Sequence, residues 1–329
     1  MPVNEPLLQG DANISVDIDA LPLYYQIHGI PWSGAEAVDP LWKIGIPRAL
    51  ELFAEFDLKA TFFVVGQDLG IQAHRDVAQA MFAAGHELAN HTFSHPYDLR
   101  RRSPMIIAEE LRRCDQAIQD LTGASPVGFR APGYNLSTEL LKTSRALGHR
   151  YDASIFPAAG YWLAKSAVMA YRHLRRTPSG SDRTLIKTLL APSAPYYCDP
   201  ATFWRPSCAV DDYIELPIAA AASVFPLIGT SLHLLDLPGW RRIWPLLHRR
   251  FPRYFNLEFH AIDFVDAQDL TNLHSIDDSN LLVARQPDLR IPWPTKAKRY
   301  RRVLDSLCSD REMATLARLT EGRSEQAEL

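Results

Sequence analysis

The sequence predicts an α/β protein built around a largely parallel β-sheet. From residue 13 to about 155, short β-branched or aromatic runs alternate with polar turns and amphipathic helical segments, which is the rhythm of βα units. Ionisable residues follow five of the apolar runs, at the strand ends where parallel sheets gather reactive groups. The pattern leaves open whether the sheet closes into a barrel or stays open.

The predicted strands and helices alternate in chain order. The strands are ISVDI (14–18), TFFVV (61–65), ELANH (87–91), VGFRA (127–131) and RYDAS (150–154), followed later by YIELPIA (213–219) and YFNLEFH (254–260). The helices between the first five strands lie near 40–56, 72–84, 104–122 and 137–147. Ser103 and Pro104 are typical of a helix start and Gly123 of a helix end, so the third helix has defined ends.

The alternation is interrupted once, at about 158–211, where a stretch rich in bases precedes APSAPYYCDP. We interpret this stretch as an insertion, part helix and part loop, in a single domain that covers residues 1–290. From 291 to 329 we expect a C-terminal helical extension and a tail.

Composition excludes several classes of function. A net charge of -3 gives no field that would gather nucleic acid, so we expect no such partner. No stretch approaches the roughly 18 apolar residues of a spanning helix, and the first residues do not resemble a signal peptide, so we expect a cytoplasmic protein. The four cysteines are scattered without a C-x-x-C pair, which indicates reduced thiols and no zinc ribbon. The oligomeric state stays open.

Two pairs of polar residues at strand ends suggest a metal site. Asp17 and Asp19 are two apart, so both side chains face the same way in a strand, and such close charges repel unless a cation or an arginine lies between them. His91 and His95 are four apart, a spacing that brings imidazoles together on one helical turn. Because two imidazoles and one carboxylate leave open positions on zinc, Asp19, His91 and His95 are candidate ligands of a catalytic metal. Two surface histidines that merely share this spacing are the alternative.

The segment GFRAPGY (128–134) offers further groups for chemistry. Arg130 can hold a neighbouring carboxylate ionised and oriented. The turn that follows exposes backbone N–H groups, at Gly133 or Tyr134, that could meet an oxyanion. His28 lies beyond Asp19 near the same rim and could touch the substrate.

The ordered set SVDID, NHTFSHP, FRAPGY, YDASIFP and LEFHAID resembles the polysaccharide deacetylase family, the carbohydrate esterase class with the NodB homology domain. The resemblance covers about 14–265, and the H-[ST]-x-x-H element fits at every specified position. The first motif departs from the common form, because Ile18 separates the two aspartates. That spacing is similar to the branch with peptidoglycan deacetylase-like, allantoinase-like and lipid-linked aminoarabinose deformylase members. The resemblance implies a distorted (β/α) barrel.

The resemblance also implies a role for each site residue. Asp17 would be the catalytic base and Arg130 its partner. The three candidate ligands would bind a divalent metal, zinc first, with cobalt, nickel or manganese as alternatives. His260 would be the general acid, oriented by Asp152, although the fourth motif departs from its usual wording.

We therefore expect a metal-dependent amide hydrolase that removes an N-acetyl group from an amino sugar. A deformylase of a lipid-linked amino sugar and an allantoinase-like hydrolase of a small cyclic amide are the enzyme alternatives, and an inactive binding module is the non-enzyme alternative. Residues 240–253, WRRIWPLLHRRFPR, mix aromatic side chains with five arginines and no acid, which suits peripheral contact with an anionic membrane surface and a glycolipid substrate. A basic surface segment whose aromatic residues complete the core is the other interpretation.

Overall fold

The computed structural model describes residues 11–32, 39–163, 186–210, 212–221, 223–236, 254–271 and 276–321. Its strands are β1 Asp11–Ile18, β2 Thr61–Val64, β3 Glu87–Asn90, β4 Gly128–Phe129, β5 Tyr151–Asp152, β6 Tyr196–Tyr197, β7 Ile214–Glu215, β8 Ala220–Ala221, β9 Phe225–Pro226, β10 Phe255–His260 and β11 Glu312–Met313. Its α-helices are α1 Leu21–His28, α2 Ile46–Ala54, α3 Gln72–Ala83, α4 Pro104–Thr122, α5 Thr138–Ala146, α6 Ala267–Thr271, α7 Ile276–Arg285, α8 Trp293–Asp310 and α9 Leu316–Glu321. The basic aromatic segment at 240–253 and the middle of the predicted insertion lie outside these ranges.

The main sheet curls into a half barrel. Its strand order is β10-β1-β2-β3-β4-β5-β7-β6, with β11 also paired to β1, and every pairing is parallel except that of β6 with β7. The residues after β7 bridge the gap to β10, because the N–H of Ala219 donates to the carbonyl of Asn256 at 2.9 Å and the N–H of Gly229 donates to that of Glu258 at 2.8 Å. The expected distorted (β/α) barrel is therefore confirmed.

The strands β1 and β10 give the half barrel a polar interior. Side chains alternate between the two faces of a strand. The outward residues are apolar and join the main hydrophobic core with α2 and α8; they are Ala12, Ile14, Val16, Ile18, Leu257 and Phe259. The inward residues are polar and lie in register, with Ser15 opposite Glu258 and Asp17 opposite His260. Burial of the outer face therefore directs four polar side chains into one space.

The helices follow the predicted pattern with one difference. The helix α4 begins after Ser103, whose hydroxyl accepts a bond from the N–H of Ile106 at 3.4 Å, and it ends at Gly123, which has a left-handed φ of 78°. The helix predicted near 40–56 instead consists of a π-helical turn, Leu41–Gly45, followed by α2. Within the described ranges, no helix combines the length and the apolar character that crossing a membrane requires.

The C-terminal segment is largely helical and packs into the core of the barrel. The buried residues Tyr300, Leu304 and Leu307 of α8 belong to the main hydrophobic cluster. The strand β11 extends the sheet beside the first residues of β1, and the side-chain amide of Asn13 donates to the carbonyl of Ala314 at 2.7 Å. The segment therefore covers the end of the half barrel where the strands begin.

Candidate functional site

Asp17 and Asp19 lie where β1 ends and the chain turns into α1. Asp17 occupies the inner face of β1, and Asp19 lies in the short loop that follows. Asp39 controls the course of this loop, because its carboxylate accepts the N–H of Leu21 at 2.6 Å and the N–H of Leu41 at 2.8 Å. Two helix starts are therefore held to one carboxylate just beyond Asp19.

His91 and His95 come together through a tight loop, which corrects the expectation of a helical turn. Thr92 and His95 both adopt left-handed backbone conformations, with φ of 68° and 55°. The side chain of Asn90 accepts the N–H of Thr92 at 2.7 Å, and the hydroxyl of Thr92 accepts the N–H of His95 at 3.1 Å. These bonds satisfy a strained turn and bring both imidazoles to the same side.

The same loop is held from outside by α4. One carboxylate, Glu110, accepts the N–H of Phe93 at 3.1 Å, the N–H of Ser94 at 2.8 Å and the hydroxyl of Ser94 at 2.8 Å. The amide of Asn90 donates to Asp115 at 2.6 Å. The loop that carries the histidines is therefore anchored at both ends.

Asp19, His91 and His95 form one buried cluster. The Asp19 Oδ1 atom lies 3.1 Å from His95 Nε2 and 3.4 Å from His91 Nε2. The His91 Nδ1–H donates to the carbonyl of Arg130 at 2.8 Å, which leaves Nε2 with its lone pair toward Asp19. Although Asp19 Oδ1 and both ring nitrogens of His95 are buried, none of the described residues forms a hydrogen bond of good geometry with them. This donor set, with three ligand atoms within 4.8 Å of one another, fits a divalent metal ion.

The electrostatics of the cluster favour a cation. Burial would raise the pKa of Asp19, but the two histidines, His95 first, hold that pKa well below its usual value. Burial would lower the pKa of His91, but Asp17 and Asp19 raise it. The carboxylates therefore attract positive charge into this space, whether a proton or a metal ion supplies it.

Arg130 binds Asp17 inside the half barrel. Its Nη1 atom lies 2.5 Å from Asp17 Oδ1, and its face stacks over the ring of Phe63 at 4.1 Å. Burial alone would raise the pKa of Asp17, but Arg130 and the nearby histidines lower it, so the group stays ionised. The other oxygen, Oδ2, lies 3.8 Å from His91 Nε2 and 4.0 Å from His260 Nε2. Asp17 thus faces the cluster with one oxygen while Arg130 holds the other.

His260 lies beside Asp17, next to a glutamate that the sequence analysis missed. Its side chain is 26 % exposed, so it faces the opening. Burial would lower the pKa of His260, but Glu258 and Asp17 raise it to about 9. Glu258 is fully buried, and burial raises its own pKa to about 7. Because Glu258 stands two residues before His260 on a predicted strand, alternation could have shown that both point the same way.

The structure corrects the predicted partner of His260. The carboxylate of Asp152 accepts the hydroxyl of Ser154 at 2.6 Å and forms a buried pair with Glu215. Burial raises the pKa of both acids, that of Glu215 further, and each carboxyl group affects the pKa of the other. The acidic groups beside His260 are instead Glu258, Asp17, Asp19 and Asp263.

The predicted substrate-contact residues have mixed outcomes. The ring of His28 is hydrogen-bonded to Gln286 at 3.1 Å, so the structure places it against the C-terminal helices and not in the cluster. Gly133 and Tyr134 both have left-handed φ, 59° and 63°, in a turn beside the site. The N–H of Tyr134 donates to the carbonyl of Ala131 at 2.9 Å, so it is not available to bind an oxyanion as predicted. The N–H of Gly133 is then the candidate for that role. The phenol of Tyr134 instead donates to Glu258 at 2.5 Å.

Aromatic side chains line one side of the site, and the sequence analysis did not single them out. The ring of Tyr97 lies 4.7 Å from that of His95. A further group of rings in mutual contact continues from the turn after β4; its members are Tyr134, Phe156, Tyr161 and Trp162. Tyr161 and Trp162 fall in the segment interpreted as an insertion, so part of that segment packs against the turn that carries Tyr134.

The fold and the site together define an α/β half-barrel protein with a candidate single-metal centre at the carboxyl ends of its strands. Residues 38–151 match the family model described as polysaccharide deacetylase, so the predicted resemblance is confirmed over this stretch. The stretch contains His91, His95 and Arg130; Asp17, Asp19 and His260 lie outside it.

Similar proteins align with part of the chain. A peptidoglycan deacetylase of Helicobacter pylori is 31 % identical over 149 residues, 43 % of this chain and 47 % of the relative. A chitooligosaccharide deacetylase of Bradyrhizobium sp. is 35 % identical over 103 residues, 31 % of this chain and 46 % of the relative. The alignments thus span less than half the length of these relatives.

Solved structures share the fold over nearly the whole chain. A candidate polysaccharide deacetylase of Mycobacterium smegmatis superposes with a TM-score of 0.58 at 18 % identity, covering 99 % of this chain and 94 % of the other. An allantoinase superposes with a TM-score of 0.54 at 14 % identity, covering 94 % and 88 % of the two chains. At these identities the comparison establishes the fold.

Proposed function

We propose that the chain is a metal-dependent amide hydrolase that removes the N-acetyl group of an amino sugar. The proposal rests on one observation, the convergence of a carboxylate and two histidines with an arginine-paired Asp17 and with His260 at one rim. The relatives that align with part of the chain are named as a peptidoglycan deacetylase and a chitooligosaccharide deacetylase, which supports the choice of an amino-sugar amide.

The chain's own residues provide the acid and base for such a reaction. A divalent cation held by the cluster would polarise water and the amide carbonyl. Asp17 can take the proton of the attacking water at Oδ2, because Arg130 holds Oδ1 and keeps the carboxylate ionised. His260 can give a proton to the departing nitrogen, which would otherwise leave as a strongly basic anion. The N–H of Gly133 can meet the amide oxygen.

Partly exposed tyrosine rings near the metal cluster support a sugar as the substrate. Rings of tyrosine and tryptophan combine a broad apolar face with a polar tip, which suits the apolar face and hydroxyl rim of a pyranose. Tyr97, next to His95, and Tyr161 are partly exposed and would contact the sugar.

The proposal is tested with protein that has been depleted of metal and then reloaded with zinc, cobalt, nickel or manganese. The measured quantity is hydrolysis. N-acetylated amino-sugar oligomers, an N-formylated amino sugar and allantoin are offered in parallel, and released acetate, formate or ring-opened product is measured. We expect cation-dependent acetate release that Asp17→Asn abolishes while metal content is unchanged. Formate or ring-opened product would transfer the assignment to a deformylase or a cyclic-amide hydrolase. No product from any of the three would contradict the proposal.

We further propose that the substrate is presented at an anionic membrane surface. The support is the sequence of residues 240–253, with five arginines among tryptophan and phenylalanine. Co-sedimentation with vesicles that contain one-third phosphatidylglycerol tests this, with phosphatidylcholine vesicles as the control. We expect binding to the anionic vesicles that weakens as salt rises. Equal recovery with both vesicle types would contradict it.

A further inference from the structure

Glu258 is a neighbour of His260 by strand geometry. The parallel register sets Ser15 opposite Glu258 and Asp17 opposite His260, so four polar side chains form two adjacent rows on the inner face of the half barrel. Glu258 and His260 are two apart on β10 and therefore point the same way. One side-chain N or O atom of each of Asp17, Glu258 and His260 lies within 4.8 Å of the others.

The carboxylate of Glu258 is fully buried and only partly satisfied. Tyr134 donates its phenol to Oε1 at 2.5 Å, whereas Oε2 has no hydrogen-bond partner in the part of the chain that the structure describes. A buried carboxylate oxygen without a partner is costly unless positive charge lies nearby. Arg130 Nη1 is 3.7 Å from Oε1, but the same nitrogen is bound to Asp17 at 2.5 Å. Among the described residues, the other group beside Glu258 that can carry positive charge is His260.

The charges of these groups balance when His260 holds its proton. Asp17 and Glu258 contribute two negative charges when ionised, and Arg130 and protonated His260 contribute two positive charges. We propose that Glu258 is a positioning residue that keeps His260 protonated as the proton donor, the role that the sequence led us to give to Asp152. This inference rests on the proposed function, because a proton donor is required only if an amine leaves.

Other charged groups face His260, and each has a different principal contact. They are Asp17 and Asp19 at the end of β1, Asp263 after β10, and Asp288 before α8. Arg130 and Tyr134, after β4, contact Glu258. Asp263 accepts the backbone N–H of His260 at 2.8 Å, so it holds the main chain. Asp19 belongs to the metal cluster, and Asp17 is bound to Arg130. Burial lowers the pKa of His260, but Glu258, ahead of these other carboxylates, raises it to about 9.

The substitution Glu258→Gln tests the proposal, because it keeps the size of the side chain and an acceptor for Tyr134 but removes the charge. The readout is a ¹⁵N NMR titration of the histidine side chains in the metal-loaded protein, with His260→Gln to assign the signal. We expect the pKa of His260 to fall by at least about one unit in Glu258→Gln. The alkaline limb of the kcat profile should move to lower pH by the same amount, so that kcat at a fixed alkaline pH falls about tenfold. A titration within about 0.3 units of the wild type overturns the proposal.

Asp152→Asn is the matched control, because it removes the buried carboxylate that the sequence predicted to orient His260. We expect the titration of His260 to stay within about 0.3 units in this variant, and a larger shift than in Glu258→Gln overturns the proposal. A loss of bound metal in Glu258→Gln relative to the wild type also overturns it, because Glu258 would then be a ligand. If Glu258→Gln does not fold, Glu258→Asp replaces it. In Glu258→Asp the side chain is one methylene shorter, so the carboxylate lies farther from His260. An unchanged titration of His260 in this variant would again contradict the proposal.

The two proposals fail separately in this design. The NMR titration needs no turnover, so a shifted titration in a protein that hydrolyses none of the three substrates supports the link between Glu258 and His260 and contradicts the proposed function. Hydrolysis together with an unmoved titration has the opposite meaning: the function stands and the role of Glu258 is overturned.

Discussion

Arg130 joins the candidate base to the candidate metal ligands: its guanidinium binds Asp17 at 2.5 Å, and its backbone carbonyl accepts the ring N–H of His91 at 2.8 Å. The rest of the guanidinium is also engaged, since Nε donates to the carbonyl of Ala153 at 2.7 Å and Nη2 donates to the hydroxyl of Ser15 at 3.0 Å. One fully buried side chain therefore sets the position of a carboxylate and links three strands of the half barrel.

The substitution Arg130→Lys keeps the charge but removes the planar fork that spans these acceptors. We expect the free energy of unfolding to fall by about 2–4 kcal/mol, because buried acceptors lose donors, and kcat to fall about 100-fold because Asp17 is displaced. Chemical denaturation and steady-state kinetics measure the two effects. Arg102→Lys, which alters an exposed pair with Asp98, is the control, with an expected change below about 0.5 kcal/mol. Equal losses in both variants would contradict the prediction.

Metal binding should depend on His95 and not on His28. His95 is buried with both ring nitrogens free of hydrogen bonds, whereas the ring of His28 is bonded to Gln286. We expect His95→Ala to lose the metal on dialysis and to lose the thermal stabilisation that added zinc gives the wild type, roughly 4 kcal/mol at 1,000 times Kd. His28→Ala should retain both. Metal analysis and thermal melts with and without zinc test both expectations. A full equivalent of metal bound to His95→Ala would refute the assignment of His95 as a ligand.

Asp39 should act on the metal site from a distance. Its two oxygens accept the N–H groups of Leu21 and Leu41, which start the structure on either side of the loop after Asp19. We expect Asp39→Ala to lower the free energy of unfolding by about 2–3 kcal/mol and to weaken zinc binding about tenfold. Asp39→Asn, which keeps one acceptor, should lose about half as much stability. Zinc titrations of both variants provide the measurement, and wild-type affinity in Asp39→Ala would show that the loop needs no such support.

Much of the site was predictable because parallel strands end at a common edge. The carboxyl ends of β1 and β3 had to lie close whatever the details of the barrel, so Asp19, His91 and His95 could be grouped from sequence alone. Their grouping does not depend on the helical spacing that suggested it, since the chain uses a loop with two left-handed residues. Left-handed threonine and histidine residues leave no mark in a sequence pattern.

The partners inside the barrel were harder to predict, because they depend on strand order. Asp152 and His260 both end strands, but β5 and β10 are separated by four other strands in the sheet, and Asp152 meets Glu215 of the neighbouring β7 instead. Glu258 was missed because an acidic residue inside a predicted strand is usually assigned to the solvent face. Here both faces of β10 are buried.

Stability should fall in mild acid because of His86. Its Nδ1 accepts the N–H of Ala60 at 3.0 Å, and burial, aided by Lys59, lowers its pKa from 6.5 to about 4. A histidine whose pKa is lowered by folding stabilises the protein fully above its unfolded pKa, and that contribution is lost as pH falls from 6.5 toward 4. We expect a loss on the order of 2 kcal/mol after allowance for solvent screening. Chemical denaturation at pH 7 and 4.5 measures this loss. The variant His86→Asn keeps the hydrogen-bond acceptor, so its loss of stability between these pH values should be smaller by that amount. The same loss in the wild type and the variant would contradict the prediction.

Gly128 should tolerate no side chain, because the ring of Tyr151 occupies the space beside it. A Cβ at Gly128 would lie 1.8 Å from the ring carbon Cζ of Tyr151, and that ring is fully buried with its phenol donating to Glu87 at 2.6 Å. We expect Gly128→Ala to lower the free energy of unfolding by about 3 kcal/mol or more, whereas Gly70→Ala, where the added Cβ meets nothing within 4 Å, should change it by less than about 1 kcal/mol.

Because the cost of Gly128→Ala comes from one ring, it should shrink when that ring is removed. In a double-mutant cycle with Tyr151→Leu, we expect the double variant to be at least about 1 kcal/mol more stable than the sum of the single losses predicts. Urea denaturation of the four proteins measures the coupling. Additive losses would mean that the Tyr151 ring does not fill the space beside Gly128, and the packing of β4 against β5 next to Arg130 would then differ from that described.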